Sequence, residues 1–185
     1  EIFATQANAR MTFDADTVIL AIPAYIAAGL IEPIDHSLAS SLKSIYYPPV
    51  VEVFLGFGKR DIGRTLDGFG FLVPAKEKRK ILGSIWSSSI FPNRAPNDAV
   101  ALTSFIGGSR QPELTEQSDE ELIQVASREL HDLMQVNGTP IYSNVTRWDR
   151  AIPQYQLGHL SIMEQIQKFE QQHQGIFLTG NYRGG

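Results

Sequence analysis

Three short apolar runs, each closed by proline or glycine, fill the middle of the chain between Asp67 and Arg110. The first reads Asp-Gly-Phe-Gly-Phe-Leu-Val-Pro, over residues 67–74. The second runs from Ile81 through Trp86 to Pro92, and the third from Ala101 to Gly108. Such runs, so punctuated, are the pattern of successive strands in one sheet. Residues that add little to a core sit inside them: Gly70, Gly83, Ser87, Ser88 and Ser89. Glycine within a strand marks a bulge or a close approach to the backbone. Pattern alone leaves two readings. One is an ordinary antiparallel core sheet. The other is the wall of a flat apolar pocket, with Phe69, Leu72, Ile85, Trp86 and Phe105 around the gaps.

At 185 residues the chain fits one domain or a domain and a part, and its 43% hydrophobic content is enough for a core. A net charge of −4 argues against a nucleic-acid partner, because phosphate binding needs clustered Lys and Arg. The basic knot Lys76, Lys78, Arg79 and Lys80 reads as a solvated turn between two strands. There is no cysteine, which excludes disulfides, thiolate metal sites and cysteine nucleophiles. No apolar run reaches the roughly 18 residues of a membrane span, and no signal peptide opens the sequence. A soluble, cytoplasmic segment is expected, with peripheral membrane contact left to regions outside it. A first residue other than methionine, and a last pair Gly184-Gly185 directly after an apolar run, lead to the expectation of a fragment of a longer protein.

In chain order, residues 2–5 and 10–13 read as a hairpin turning near Ala7-Asn8-Ala9. Residues 17–22 form an unbroken apolar run, which predicts a strand buried on both faces. Pro23 suits the start of a helix over 25–31. Asp35 or Ser37 caps a second helix through Ser44. Residues 50–57 predict a strand in which Val51, Val53 and Leu55 alternate against Glu52 and Phe54. Residues 92–98 read as a long turn. Ser118 and Glu121 form a capping box for a helix that Asn137-Gly138 ends. A strand over 142–148 follows. A helix over 160–172 has Leu160, Met163, Ile166 and Phe169 inward, and a buried strand lies at 176–180.

The usual catalytic patterns are absent from this sequence. His36, His131, His159 and His173 lack metal-ligand spacing, so no metal is expected. Ser87 to Ser89 lack the G-x-S-x-G elbow. Gly56-Phe57-Gly58 and Gly68-Phe69-Gly70 are not G-x-G-x-x-G, and there is no Walker A loop. With so little acid–base equipment, an enzyme built on these residues needs a cofactor to carry its chemistry.

Five motifs occur in a fixed order. They are Asp67-Gly68-Phe69-Gly70-Phe71-Leu72-Val73-Pro74, Ser87-Ser88-Ser89-Ile90-Phe91-Pro92, Phe105-Ile106-Gly107-Gly108, Ala151-Ile152-Pro153-Gln154-Tyr155 with Gly158-His159, and Gly180-Asn181-Tyr182. Each is weak by itself. As an ordered set over essentially the whole stretch they resemble the oxygen-dependent, FAD-type protoporphyrinogen oxidases of the flavin monoamine oxidase superfamily. The family's amino-terminal G-x-G-x-x-G does not occur here. Neither does its membrane-binding region, with a substrate-orienting arginine.

The resemblance implies FAD as cofactor, protoporphyrinogen IX as substrate and molecular oxygen as acceptor, in haem and chlorophyll biosynthesis. These residues by themselves are expected to be inactive. It implies substrate-binding roles for Phe69, Gly70, Leu72, Ile85 and Phe105, with Gly70 letting the backbone approach the macrocycle. It implies cofactor contacts for Trp148, Gly180, Asn181, Tyr182, Gly184 and Gly185, and no catalytic side chain. Arg94 and Arg110 either meet the propionates of such a substrate or are ordinary loop cations, and the loop reading is the preferred one. The expected fold is α+β: a mixed, mostly antiparallel sheet with flanking helices, plus terminal strands of an incomplete α/β FAD-binding domain that lie beside each other. Boundaries are expected at 1–31 and 159–185 for the FAD-binding parts and 32–158 for the substrate domain. The competing readings are a related flavin amine oxidase or carotenoid desaturase, and a non-enzymatic porphyrin-binding module.

Overall fold

Nine strands and five α-helices follow one another in the computed structural model, which describes residues 2–7 and 9–184. In chain order they are β1 (Ile2–Gln6), β2 (Ala9–Phe13), β3 (Val18–Leu20), α1 (Ala24–Ile31), α2 (His36–Lys43), β4 (Val50–Gly58), β5 (Gly70–Leu72), β6 (Ile81–Ile85), α3 (Ser87–Ile90), β7 (Ala99–Gly107), α4 (Asp119–Met134), β8 (Tyr142–Trp148), α5 (His159–Gln172) and β9 (Ile176–Leu178). Asn8, at the expected hairpin turn, and Gly185, an expected cofactor contact, lie outside the described residues. The chain divides into two compact units, Glu1–Tyr47 with Ile152–Gly185, and Pro48–Ala151. Residues 32–47 and 152–158 therefore pack with the terminal segments, which moves the expected boundaries at 31 and 158.

The central unit is a five-stranded sheet in the order β5-β6-β7-β4-β8, antiparallel throughout. Val51, Val53, Leu55 and Phe57 of β4, with Val100, Leu102 and Ile106 of β7, form its covered face. Leu122, Ala126, Leu130 and Met134 of α4 complete this core. Burying each leucine contributes on the order of 2 kcal/mol. The α4 helix starts where the capping box predicts. The Glu121 N–H donates to the Ser118 hydroxyl (3.2 Å), and the Ser118 N–H donates to the Glu121 carboxylate (2.9 Å). It stops at left-handed Gln135, ahead of Asn137-Gly138. There the chain leaves to pair with residues 61–63: Gly63 N–H donates to Gln135 O, and Asn137 N–H to Asp61 O.

The second apolar run is a strand only as far as Ile85. Ser87 to Ile90 turn into the short helix α3, contrary to the strand reading of that run. The serines supply the reason. The Ser88 hydroxyl accepts the Ala101 N–H at 3.0 Å, and the Ser87 hydroxyl lies 2.7 Å from that of Thr103. Side chains thus replace the ladder partner that β7 would otherwise need. The basic knot between β5 and β6 is tied down rather than free. Arg79 reaches Asp132 at 2.9 Å and Glu129 at 3.4 Å, and Lys80 N–H donates to Glu129 at 3.0 Å.

Glycine between β5 and β6 has a local cause. Gly70 holds φ +138°, and a Cβ there would stand 2.1 Å from the Ser84 carbonyl oxygen. A Cβ on Gly83 would meet Phe71 O at 2.4 Å. The neighbouring strand therefore fills the space that a side chain would take.

In the terminal unit β1 and β2 form the expected antiparallel hairpin, and β3 pairs in parallel with β9. The two terminal strands do lie side by side. They are not buried on both faces. Ile19 and Phe177, directly opposite each other, are 63% and 43% exposed. The covered side carries Leu178 over a core of Ala24, Ala27, Ile31, Ile166 and Phe169. Asp35 caps α2, its carboxylate accepting the Leu38 N–H at 2.9 Å. On α5 the inward face is Ile162, Ile166 and Phe169, with Met163 half-buried. Leu160, expected inward, is 79% exposed. The two long helices serve different units: α4 lines the core of the sheet, and α5 that of the terminal unit. Among the described residues, no helix is long and apolar enough to cross a membrane.

Gly70→Ala should destabilise the protein by about 2 kcal/mol or more, read by urea unfolding, because both φ and the Ser84 carbonyl oppose a Cβ. An alkaline titration should also be informative. Burial pushes the Tyr182 phenol up from 10.0 to about 12. The stability associated with its neutral form is complete below pH 10 and falls as pH rises through about 12. Tyr182→Phe should remove that share of the alkaline fall in Tm.

Candidate functional site

Directly opposed residues of antiparallel strands point to the same face of a sheet, and alternate residues to the other. The register therefore sorts the side chains. Leu72 stands opposite Gly83, Gly83 opposite Phe105, Phe105 opposite Glu52, and Glu52 opposite Thr146. The next row runs Gly70, Ile85, Thr103, Phe54 and Asn144. Gly56 faces Tyr142, and Val50 faces Trp148. All of these lie on the face opposite the α4 core. The register thus brings Leu72, Ile85, Phe105 and Trp148 to one surface, with Phe69 just before β5.

That surface is apolar and open. Leu72 is 87% exposed, Phe69 77% and Trp148 50%. Phe54 and Tyr142 meet edge to face at 5.9 Å. Over β4, β7 and β8 lies a cavity of about 650 Å³, lined by Glu52, Phe54, Thr103, Tyr142, Asn144 and, from the 92–98 loop, Arg94. Phe69, Leu72, Ile85, Phe105 and Trp148 do not line that cavity; Leu72, Ile85, Phe105 and Trp148 share its face of the sheet, and an exposed apolar face of this kind can receive an apolar partner. Gly70 lies in the floor of this surface. Its lack of a side chain is already required by β6, independently of any ligand. Arg110 donates to Val73 O at 2.7 Å and so braces the strand edge.

The second group of expected residues belongs to the terminal unit, at the carboxyl ends of the parallel pair. Thr179 N–H donates to Leu20 O at 3.1 Å, and Gly180 (φ +137°) opens a 3₁₀ turn over Asn181–Arg183. Tyr182 is fully buried in the core, and its hydroxyl has no hydrogen-bond partner among the described residues. Its side chain is an anchor for the turn, so only its backbone is available to a ligand. The neighbouring Tyr47 hydroxyl accepts the Ala24 N–H at 3.0 Å, and burial raises the Tyr47 phenol as well.

The turn is held from outside by residues that the sequence reading did not assign. The Tyr155 hydroxyl donates to Asn181 O. His159 Nε2 lies 2.8 Å from Tyr182 O, and since a carbonyl only accepts, Nε2 carries the hydrogen. The two rings stack at 4.4 Å and 24°. From α5, one Glu170 carboxylate oxygen accepts from Leu178 N–H (2.9 Å) and from Arg183 (2.5 Å). The Ile-Pro-Gln-Tyr-x-x-Gly-His motif and the Gly-Asn-Tyr-Arg turn are thus two halves of one contact. The aromatic residue and histidine four apart were the available signal, but spacing does not say what they grip.

Carboxyl ends of parallel strands are where α/β folds bind nucleotide-like ligands. Among the described residues, and its chain neighbours aside, nothing lies within 4 Å of where a Gly184 side chain would stand, and its φ is +145°. Backbone with open space before it, on a turn tied down on both flanks, fits the polar edge of a flavin. Gly180, Asn181 and Gly184 can contribute there. Trp148 belongs to the sheet unit.

Comparison with known proteins gives a consistent result. Residues 3–185 match the family described as flavin containing amine oxidoreductase. The chain is 36% identical over 186 residues to protoporphyrinogen oxidase 1, chloroplastic, of Arabidopsis thaliana, covering 95% of this chain and 34% of that protein. It is 28% identical over 171 residues to coproporphyrinogen III oxidase of Bacillus subtilis (strain 168), covering 92% and 36%. A solved structure assigned to protoporphyrinogen oxidase from Exiguobacterium sp. 255-15 superposes with a TM-score of 0.67 at 24% identity, over 91% of this chain and 36% of that one, a likeness of fold. The chain thus spans about a third of the length of these relatives. With a family match over nearly its whole length, an antiparallel sheet that presents an apolar face, and a braced turn after a parallel strand pair, the chain belongs to the flavin containing amine oxidoreductase family.

Proposed function

We propose that the whole protein is an FAD-dependent porphyrinogen oxidase that converts protoporphyrinogen IX to protoporphyrin IX with oxygen as acceptor. A cytoplasmic location, with membrane contact through residues outside this stretch, goes with that proposal. The observation that carries it is the uncovered sheet face with Leu72, Ile85 and Phe105 in register. A tetrapyrrole is broad, flat and mostly apolar, and a wall of aliphatic and aromatic groups with few polar ones is its complement. Relatives named for porphyrinogen oxidation support the same reading.

When bound, the flavin supplies the two-electron oxidations, which no side chain of this chain can supply. The chain's own contribution is binding and orientation. Leu72 and Ile85 press on the macrocycle, Phe105 stacks against a pyrrole ring, and Phe69 closes the edge. Together they exclude water from the oxidised carbons. Gly180, Asn181 and Gly184 would hold the polar edge of the flavin, braced by Tyr155, His159 and Glu170.

The full-length protein should generate porphyrin fluorescence from protoporphyrinogen IX. Phe105→Ala should lower kcat/KM by about tenfold, in keeping with the loss of a stacked aromatic contact. Amine turnover without porphyrin formation would instead favour an amine oxidase. The brace can be read separately. Tyr155→Phe keeps the ring stack but removes the bond to Asn181. It should weaken FAD binding about tenfold in a fluorescence titration of apoprotein, the worth of about one hydrogen bond.

A further inference from the structure

The apolar face carries an asymmetry of charge. Glu52 sits in the middle of it, on β4 between Phe105 and Thr146, and is half-buried. The cavity that Glu52 lines is bounded at the 92–98 loop by Arg94. Arg94 also lines an adjoining cavity of about 480 Å³ with Lys59 and Arg64, and no carboxylate is among the residues lining that one. Among the described residues, neither Glu52 nor Arg94 is in an ion pair. Arg94 lies instead over the Phe91 ring, 5.6 Å from its centroid. Arg79, Arg147 and Arg183 are committed to Asp132, Asp119 and Glu170. One end of the surface is therefore cationic, and its middle holds a single anion.

We infer that Glu52 and Arg94 set which porphyrinogen this protein accepts and which way round it lies, an inference that rests on the function proposed above. A macrocycle with two carboxylate arms on one side can place them at Arg94, with Lys59 and Arg64 beyond. Its carboxylate-free side then lies over Glu52, clear of any like charge. A macrocycle with a carboxylate on every ring cannot avoid Glu52 in any orientation. A like charge held against it over an apolar face is unfavourable. The pair therefore selects the dicarboxylate protoporphyrinogen against the tetracarboxylate coproporphyrinogen. Substrates of both kinds appear in the names of proteins similar to this chain. Of the two sequence readings of Arg94, a loop cation or a propionate contact, the second is the one this placement favours, with Arg94 as the anchor for the carboxylate arms.

The test is steady-state oxidation of protoporphyrinogen IX and coproporphyrinogen III by the full-length protein, followed by porphyrin fluorescence. Wild type should prefer the dicarboxylate. Glu52→Gln, nearly isosteric, should raise kcat/KM for the tetracarboxylate relative to the dicarboxylate by about tenfold. Arg94→Gln, on an exposed loop, should raise KM for the dicarboxylate several-fold with kcat little changed, and should weaken its dependence on ionic strength. Equal effects of Glu52→Gln on both substrates, or an unchanged KM in Arg94→Gln, overturn the inference and leave the function standing. Oxidation of neither porphyrinogen by the wild type overturns the function itself, and the inference with it. Should Glu52→Gln fail to fold, the Arg94→Gln pair of measurements decides alone.

Discussion

One-sided burial of the five-stranded sheet is the constraint on which the rest depends. Strand β4 sends Val51, Val53, Leu55 and Phe57 to the α4 side, where each is fully buried. A strand has a period of two, so Glu52 and Phe54 must then face the other way. The ladder transmits this choice to β7 and β8 directly, and to β6 and β5 past a register shift between Ile81 and Gly83. A one-residue slip between β4 and β7 would turn Phe105, and with it Ile85 and Leu72 on the strands beyond, towards the core and bring Leu102 and Ile106 out of it. The α4 core thus fixes the composition of the exposed face, although it touches none of it.

The terminal unit works on a different principle. Its parallel pair is only three residues long on each strand, too little ladder to fix a turn by itself. Side chains do that work. Tyr155, His159 and Glu170 reach three successive parts of the segment from Leu178 to Arg183, while Tyr182 roots it in the core. Binding groups made of backbone need such bracing, since a turn free to reorient would lose its hydrogen-bonding geometry on each excursion. The division of labour suits a cofactor enzyme, with side-chain chemistry spent on placement rather than on proton transfer.

The serines at 87 and 88 show the same economy of side-chain bonding. By their hydroxyls they end β6, satisfy β7 and start the loop that carries Arg94.

Much of this was legible in the sequence. Residues 50–57 alternate, residues 142–148 form a strand and Ser118 with Glu121 caps a helix, because those signals are local: a period, a composition, a hydrogen bond three residues long. The antiparallel order of the runs after Asp67 followed from the same kind of pattern, whereas the pairing of the terminal strands was expected only from the family resemblance. What the sequence misplaced was decided at a distance. The α3 turn depends on β7, the early end of α4 on residues 61–63, the exposure of Ile19 and Leu160 on which neighbours cover them, and the glycine at 70 on the Ser84 carbonyl. Family motifs named Leu72, Ile85 and Phe105 together, but only the register shows that Glu52 stands beside Phe105 and that a loop arginine shares its cavity. Local sequence determines which residues can form strands and caps. Tertiary structure alone decides which side chains, far apart in the chain, come to share one face.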